Sequence, residues 1–217
     1  MANDIIPGAG KNFDIAVAVV FWLLTVILMW NTPSPDLAVL LLLFVLAVEA
    51  VDFAVGVVHW ALDKYWDYDN KRLGALVETF RGHHVDPELM LHHGILKSNN
   101  NALPVGVAIA LSLFYVDSPT VVWFFIFFMV FGAYSATIHQ WAHRDDLPIA
   151  IKKMQDWGVL ISPELHEKHH EGYLSHYCAI TGHWNTILDK VNFWRRAEYF
   201  IYRLTKAVPY HRRDITG

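Results

Sequence analysis

The sequence predicts an all-α, multi-pass membrane protein, a helical bundle of four transmembrane helices with a histidine-rich cytoplasmic cap that contains amphipathic helices. Three observations predict it. Of 217 residues 54% are hydrophobic and only 18% charged, against roughly 25% charged in an ordinary soluble domain. The mean hydropathy is +0.28, an apolar excess too large for one water-soluble core of this length. The third observation is the placement of the cations, which all fall between or beyond the apolar stretches on one alternating set of loops.

Taken in order, the first apolar stretch covers 15–30, carries no charge and ends in the helix-breaking run Asn31-Thr32-Pro33-Ser34-Pro35. The second covers 37–60 and is interrupted only by Glu49 and Asp52. The third covers 102–116, and Asp117-Ser118-Pro119 then supplies a turn and the helix start of the fourth, 119–138. A spanning helix needs about 20 apolar residues, so the first and third are short and need flanking residues or a thin bilayer. A cleaved signal peptide is disfavoured for the first, because only Lys11 precedes it and no small-x-small site follows. Four spans place the N-terminus, residues 63–101 and residues 139–217 on one side. Lys11, five cations in the middle loop and eleven in the C-terminal region account for all 17 Lys and Arg, and the two short turns on the other side have none. The positive-inside rule then puts both termini and the cap in the cytoplasm: the inner membrane in a bacterium, the endoplasmic reticulum in a eukaryote. Within the cap, 148–161 and 186–204 mix apolar and basic residues as amphipathic helices do. The whole of 1–217 reads as one integral-membrane domain.

Composition also excludes several classes. The single cysteine, Cys178, forms no internal disulfide and no thiolate zinc cage. A net charge of −4 gives no reason to expect nucleic acid. A transporter keeps its ligands near the bilayer midplane, whereas all 13 histidines lie on the cytoplasmic side of this topology.

Those histidines form clusters. His139 and His143 are four apart, on one helical face where the fourth span emerges. His166, His169 and His170 share one turn of a short helix for which Ser162 is the N-cap, Pro163 the first residue and Gly172 the stop. His176 follows. His83-His84 point in different directions on a helix, as a pair serving two metals, or one metal and a group that supports its ligands, would. Asp52, Gly56, His59 and Asp63 follow one face of the second span. An unpaired carboxylate at Asp52 is costly inside the membrane, so it is expected to hydrogen-bond an imidazole or another polar group of the bundle, with Glu49 a weaker candidate of the same kind. His92-His93 is a further pair with less support, and His183 and His211 are not expected to be ligands. His59, His83, His84, His139, His143, His166, His169, His170 and His176 exceed what one four-coordinate zinc uses. Imidazole suits iron, copper, nickel and zinc alike, and a pair of metals accounts for the number.

Two other readings use the same residues. His166-Glu167-x-x-His170 satisfies the HExxH pattern of zinc proteases, but leaves His59, His83-His84 and His139/His143 without a role. A non-catalytic metal-binding membrane protein would use the histidines and produce no product.

The motifs together resemble the plasmanylethanolamine desaturase family, also called Kua or lipid desaturase domain proteins, among the histidine-box membrane lipid desaturases. The resemblance covers about 49–196. It rests on Asp52-Phe53 with Gly56 and His59-Trp60, on Phe80-Arg81 with His83-His84 and Asp86-Pro87, and on His139 with His143. It continues through Gln155-Asp156-Trp157, His166 with His169-His170, the run Tyr177-Cys178-Ala179-Ile180-Thr181-Gly182, and Phe193-Trp194-Arg195-Arg196. One departure is Gly94 and Lys97 beside His93, where the family carries acidic residues. The resemblance implies a membrane helical bundle with a diiron centre held by histidines, and O2-dependent removal of two hydrogens from a phospholipid chain. In ether-lipid members the product is the vinyl ether of a plasmalogen; plastid relatives introduce a trans double bond into an acyl chain of phosphatidylglycerol. It makes His59, His83, His84, His139, His143, His166, His169 and His170 the essential histidines, with His176 an additional ligand and Asp52 part of the catalytic set. The lipid chain is expected to enter an apolar slot between spans, with Phe53, Val57, Tyr134 and Ile138 as candidate lining. The chain has no nucleotide fingerprint, haem motif or flavin domain, so the electrons are expected from a separate donor of the cytochrome b5 or ferredoxin type.

Overall fold

The computed structural model describes residues 10–210, which form twelve α-helices and no strand. Helix α1 (Lys11–Asn31) and helix α2 (Leu37–Tyr65) are the two helices long and apolar enough to cross a membrane by themselves. Asp36 starts α2 by accepting from the Val39 amide at 3.0 Å, an N-cap of the ordinary kind. Both helices outrun the stretches expected for them. At 1.5 Å per residue, the 29 residues of α2 extend about 43 Å, beyond a hydrocarbon layer of about 30 Å. Its last turns carry the buried His59 and Asp63.

After α3 (Gly74–Val85) and the short α4 (Glu88–Leu91) and α5 (Ile95–Asn99) comes α6 (Leu103–Leu113). Here the structure departs from the expected third span. With 11 residues α6 is about 16 Å long, roughly half the hydrocarbon thickness, because Phe114 to Val116 turn away from the helix. The expected fourth span is broken as well. Helix α7 (Pro119–Ala133) starts on the Ser118 cap and meets α8 (Ser135–Trp141) at a 51° bend at Tyr134. The pair counts as a third crossing only if taken as one bent span.

The apolar layer is built by α1, α2, α6 and α7, around Phe21, Leu28, Leu43, Leu103, Ile126 and Met129. Close approach is set by small residues: a Cβ on Gly106 would lie 2.6 Å from the Phe21 ring. Beyond this layer sit α9 (Ile149–Asp156), α10 (Pro163–His170), α11 (His183–Lys190) and α12 (Phe193–Thr205). The single amphipathic helix expected over 186–204 is two helices, because Asn192 takes a left-handed conformation (φ 50°) between them. The expected start of α10 is found, with Ser162 accepting from the Leu165 amide at 3.2 Å.

One carboxylate joins the two layers. Asp52 is fully buried on α2 and accepts from the amides of Ile180, Thr181 and Gly182 at 2.8, 3.2 and 3.1 Å, and from the Thr181 hydroxyl at 2.9 Å. The polar group it was expected to find is thus a run of backbone amides. Beside it, a Cβ on Gly56 would meet Cys178 Sγ at 2.6 Å, so the 177–182 segment lies directly on α2. Asp52→Ala strands up to four buried donors. It is expected to lower stability by at least about 3 kcal/mol, against about 1 kcal/mol for Thr181→Val, measured by thermal unfolding in detergent.

Candidate metal centre

Five elements deliver the clustered side chains. His59 and Asp63 lie one turn apart near the end of α2, His83 and His84 at the end of α3, His139 on α8, His143 just after α8, and His166, His169 and His170 on α10. Their ligand atoms converge in two adjacent groups. His83, His139, His143, His166 and His170 form the first; His59, Asp63, His84 and His169 form the second, and within each all ligand atoms lie within 4.8 Å of one another. Sequence-adjacent residues go to different groups. The His83 and His84 ring centroids are 4.4 Å apart yet serve one group each, and on α10 His166 and His170 face the first while His169 faces the second.

Ring orientation follows from backbone carbonyls. His59 Nδ1 donates to the Tyr177 carbonyl at 3.1 Å, His169 Nδ1 to the Ser175 carbonyl at 2.8 Å, and His83 Nδ1 to the Thr79 carbonyl at 3.4 Å. A carbonyl only accepts, so each of these nitrogens carries the proton and each Nε2 is left as a lone pair facing the group. Burial, reinforced by neighbouring imidazoles, holds the pKa values down: His143 and His170 fall to about 4, and His83, His84 and His166 lie further below the usual imidazole range. These rings are neutral at physiological pH, the state a metal requires of a histidine ligand.

The contacts inside the groups are those of ligands rather than of hydrogen-bonded pairs. His166 Nε2 faces the Nε2 atoms of His139, His143 and His170 at 2.8, 2.9 and 3.1 Å. One neutral imidazole nitrogen is a single donor or a single acceptor and cannot satisfy three partners. Two nitrogens bonded to one cation at about 2.1 Å and at right angles are about 3.0 Å apart, which matches all three contacts. In the second group His84 and His169 Nε2 atoms are 3.0 Å apart, and Asp63 Oδ2 lies 3.5 to 3.7 Å from the Nε2 atoms of His169, His59 and His84. Both Asp63 oxygens, with His59 Nε2 and His83 Nε2, are buried without a hydrogen-bond partner among the described residues. A buried carboxylate left so is costly; a shared cation removes the cost.

The structure brings together eight of the nine histidines read as ligands. His176 is outside both groups, its Nδ1 paired with Asp189 Oδ2 at 2.8 Å. Asp52 is also outside, occupied by the amides described above. Glu49 pairs with His183 at 2.7 Å, His92 and His93 join neither group, and His211 lies outside the described residues. Asp63 is the member that the histidine pattern passed over, although its spacing of four from His59 placed it on the same face. Glu167, the general base of an HExxH protease, is exposed while His166 and His170 sit among three further imidazoles; zinc proteases use three protein ligands.

A cavity of about 350 Å³ adjoins both groups. His59, His83 and His139 are among its walls, which also include Val51, Val55 and Val58 of α2, Val105 and Ile109 of α6 and Phe128 of α7. The candidate lining residues of the sequence are placed elsewhere. Phe53 and Val57 pack with Trp184 and Phe193 against Trp60, Ile138 packs with Val51 and Ile180, and the Tyr134 hydroxyl accepts from Trp22 Nε1 at 2.8 Å. They face the neighbouring grooves of their helices, which the interhelical packing fills.

The lipid desaturase domain matches residues 48–212, a range that includes every member of both groups. The chain is 32% identical over 171 residues to plasmanylethanolamine desaturase 1 of Mus musculus, covering 73% of this chain and 63% of that protein. It is 30% identical over 217 residues to plasmanylethanolamine desaturase of Myxococcus xanthus, covering 95% and 76%. It is also 30% identical over 158 residues to the chloroplastic fatty acid desaturase 4 of Arabidopsis thaliana, covering 70% and 48%. No solved structure matches. The chain belongs to the lipid desaturase domain family.

Proposed function

We propose that this protein is an O2-dependent diiron desaturase of a membrane phospholipid, acting on the 1-O-alkyl chain of an ether lipid to give the vinyl ether of a plasmalogen. The observation that carries the proposal is the apolar cavity whose walls include members of two adjacent ligand groups. The two relatives named plasmanylethanolamine desaturase supply the ether-lipid assignment. Desaturation of an acyl chain, as the name of the Arabidopsis relative suggests, is the second reading, since that protein is similar to this chain at nearly the same identity.

The first iron would be held by His83, His139, His143, His166 and His170, and the second by His59, Asp63, His84 and His169. Iron bound there supplies reduction of O2 and removal of hydrogen from an unactivated carbon, chemistry beyond any side chain. The protein's own contributions are binding, orientation and exclusion of water. Neutral imidazoles, of which His59, His83 and His169 are fixed by Nδ1–carbonyl bonds, present lone pairs without a proton to displace. The apolar walls exclude water from the chain and hold it against His59, His83 and His139. Overall, –CH2–CH2– with O2, two electrons and two protons gives –CH=CH– and two waters, the electrons arriving from an external donor of the cytochrome b5 or ferredoxin type. In this reading α6 completes a four-span topology with the help of its flanks, and both termini and the site face the cytoplasm.

Metal analysis of the purified chain is expected to return two irons; one zinc and no iron would favour a hydrolase. Expression in a host that makes alkyl ether lipids is expected to yield acid-labile vinyl ethers. A new double bond in an acyl chain instead would transfer the assignment to the second reading. Ala136→Phe, which fills the cavity one helical turn before His139, is expected to cut turnover about tenfold or more with the iron content unchanged.

A further inference from the structure

One short turn orients three of the four members of the second ligand group. Ser175 and Tyr177 supply the carbonyls that fix His169 and His59, at 2.8 and 3.1 Å. His84 has no such ring-to-carbonyl bond among the described residues. Instead the Tyr173 ring lies parallel to it, centroids 4.4 Å apart and planes 9° from coplanar, and the Tyr173 hydroxyl donates to the His84 carbonyl at 3.0 Å. The turn that does this is strained. Tyr173 (φ 55°) and His176 (φ 58°) both adopt the left-handed conformation, which costs a residue with a side chain about 1 kcal/mol or more and concentrates at functional sites.

Two further sets of contacts hold the strain in place. The Tyr173 carbonyl accepts from Lys64 Nζ at 2.5 Å and from the Tyr177 hydroxyl at 2.6 Å, and Lys64 adjoins Asp63, the fourth member of the group. His176 pairs with Asp189 at 2.8 Å. The first group makes less use of this turn: His83 is fixed by Thr79 within α3, and among the described residues Tyr173 touches the group through a ring contact with His170 at 6.1 Å.

We propose that residues 172–177 form a positioning turn for the second metal alone, with Tyr173 the positioning residue that sets the ring plane of His84. The proposal rests on the two-metal reading above. It makes His176, read from the sequence as a ligand, a pin for the turn. It also predicts that the two metals are lost separately.

The test loads purified wild type, Tyr173→Phe, Tyr173→Leu and Tyr173→Gly with ferrous iron and measures iron per chain and the dissociation constant of each iron. Wild type and Tyr173→Phe, which keeps the stacked ring, are expected to hold two irons. Tyr173→Leu and Tyr173→Gly are expected to hold one iron as tightly as wild type and the other about tenfold more weakly or worse. Glycine matters because it relieves the left-handed strain, so a turn that merely supports the fold would tolerate it. The retained first iron reports that the variants are folded. Two equally tight irons in the Leu and Gly variants, or loss of both together, would overturn the proposal alone. A wild-type chain that binds a single iron overturns the two-metal reading and the proposal with it.

Discussion

Eight imidazoles and one carboxylate with their ligand atoms turned toward one another are an unfavourable arrangement for a polypeptide, and the architecture is organised around holding it. Lone pairs about 3 Å apart repel, and Asp63 has no hydrogen-bond donor to either oxygen among the described residues. What keeps the rings in place is covalent attachment to stiff elements together with Nδ1–carbonyl hydrogen bonds that cannot be made in another tautomer. His59, His83 and His169 are thus fixed from behind, with Nε2 turned toward the other members of their groups.

The continuous helix α2 connects this centre to the membrane layer. Its first half packs against α7, Asp52 in its middle gathers the amides of 180–182, and its last turns present His59 and Asp63. The Asp52 clamp fixes the start of α11 and the end of the segment whose Tyr177 carbonyl orients His59. A carboxylate far from the metal groups thus acts on them through four hydrogen bonds and one short segment. The same helix lines the cavity with Val51, Val55 and Val58, so that apolar wall and the His59 imidazole belong to one helix.

Much of this was legible in the sequence because histidine is rare and helical spacing is strict. His166 and His170, at a spacing of four on α10, share a face, the divergence of His83 from His84 followed from their adjacency, and His143 joins His139 although it lies just past the end of α8. The lipid desaturase resemblance, carried by those motifs, agrees with the matched family. What the sequence concealed has physical causes. Asp63 is a common residue type, and its role depends on the fold bringing His84 and His169 to it. His176 follows the α10 cluster closely, but a left-handed backbone turns it to Asp189. Apolarity located the third and fourth stretches without revealing that one would be only 11 residues of helix and the other would bend by 51° at Tyr134. Slot-lining residues were likewise out of reach, since neighbouring positions on one helix face either a cavity or a packed groove.

The central claim is that two cations sit side by side in two separate ligand groups. An anomalous difference map collected at the iron absorption edge from crystals of iron-loaded protein tests it most directly. The account predicts two peaks, one among His83, His139, His143, His166 and His170 and the other among His59, Asp63, His84 and His169. A single peak, or an anomalous signal at the zinc edge instead, would contradict it.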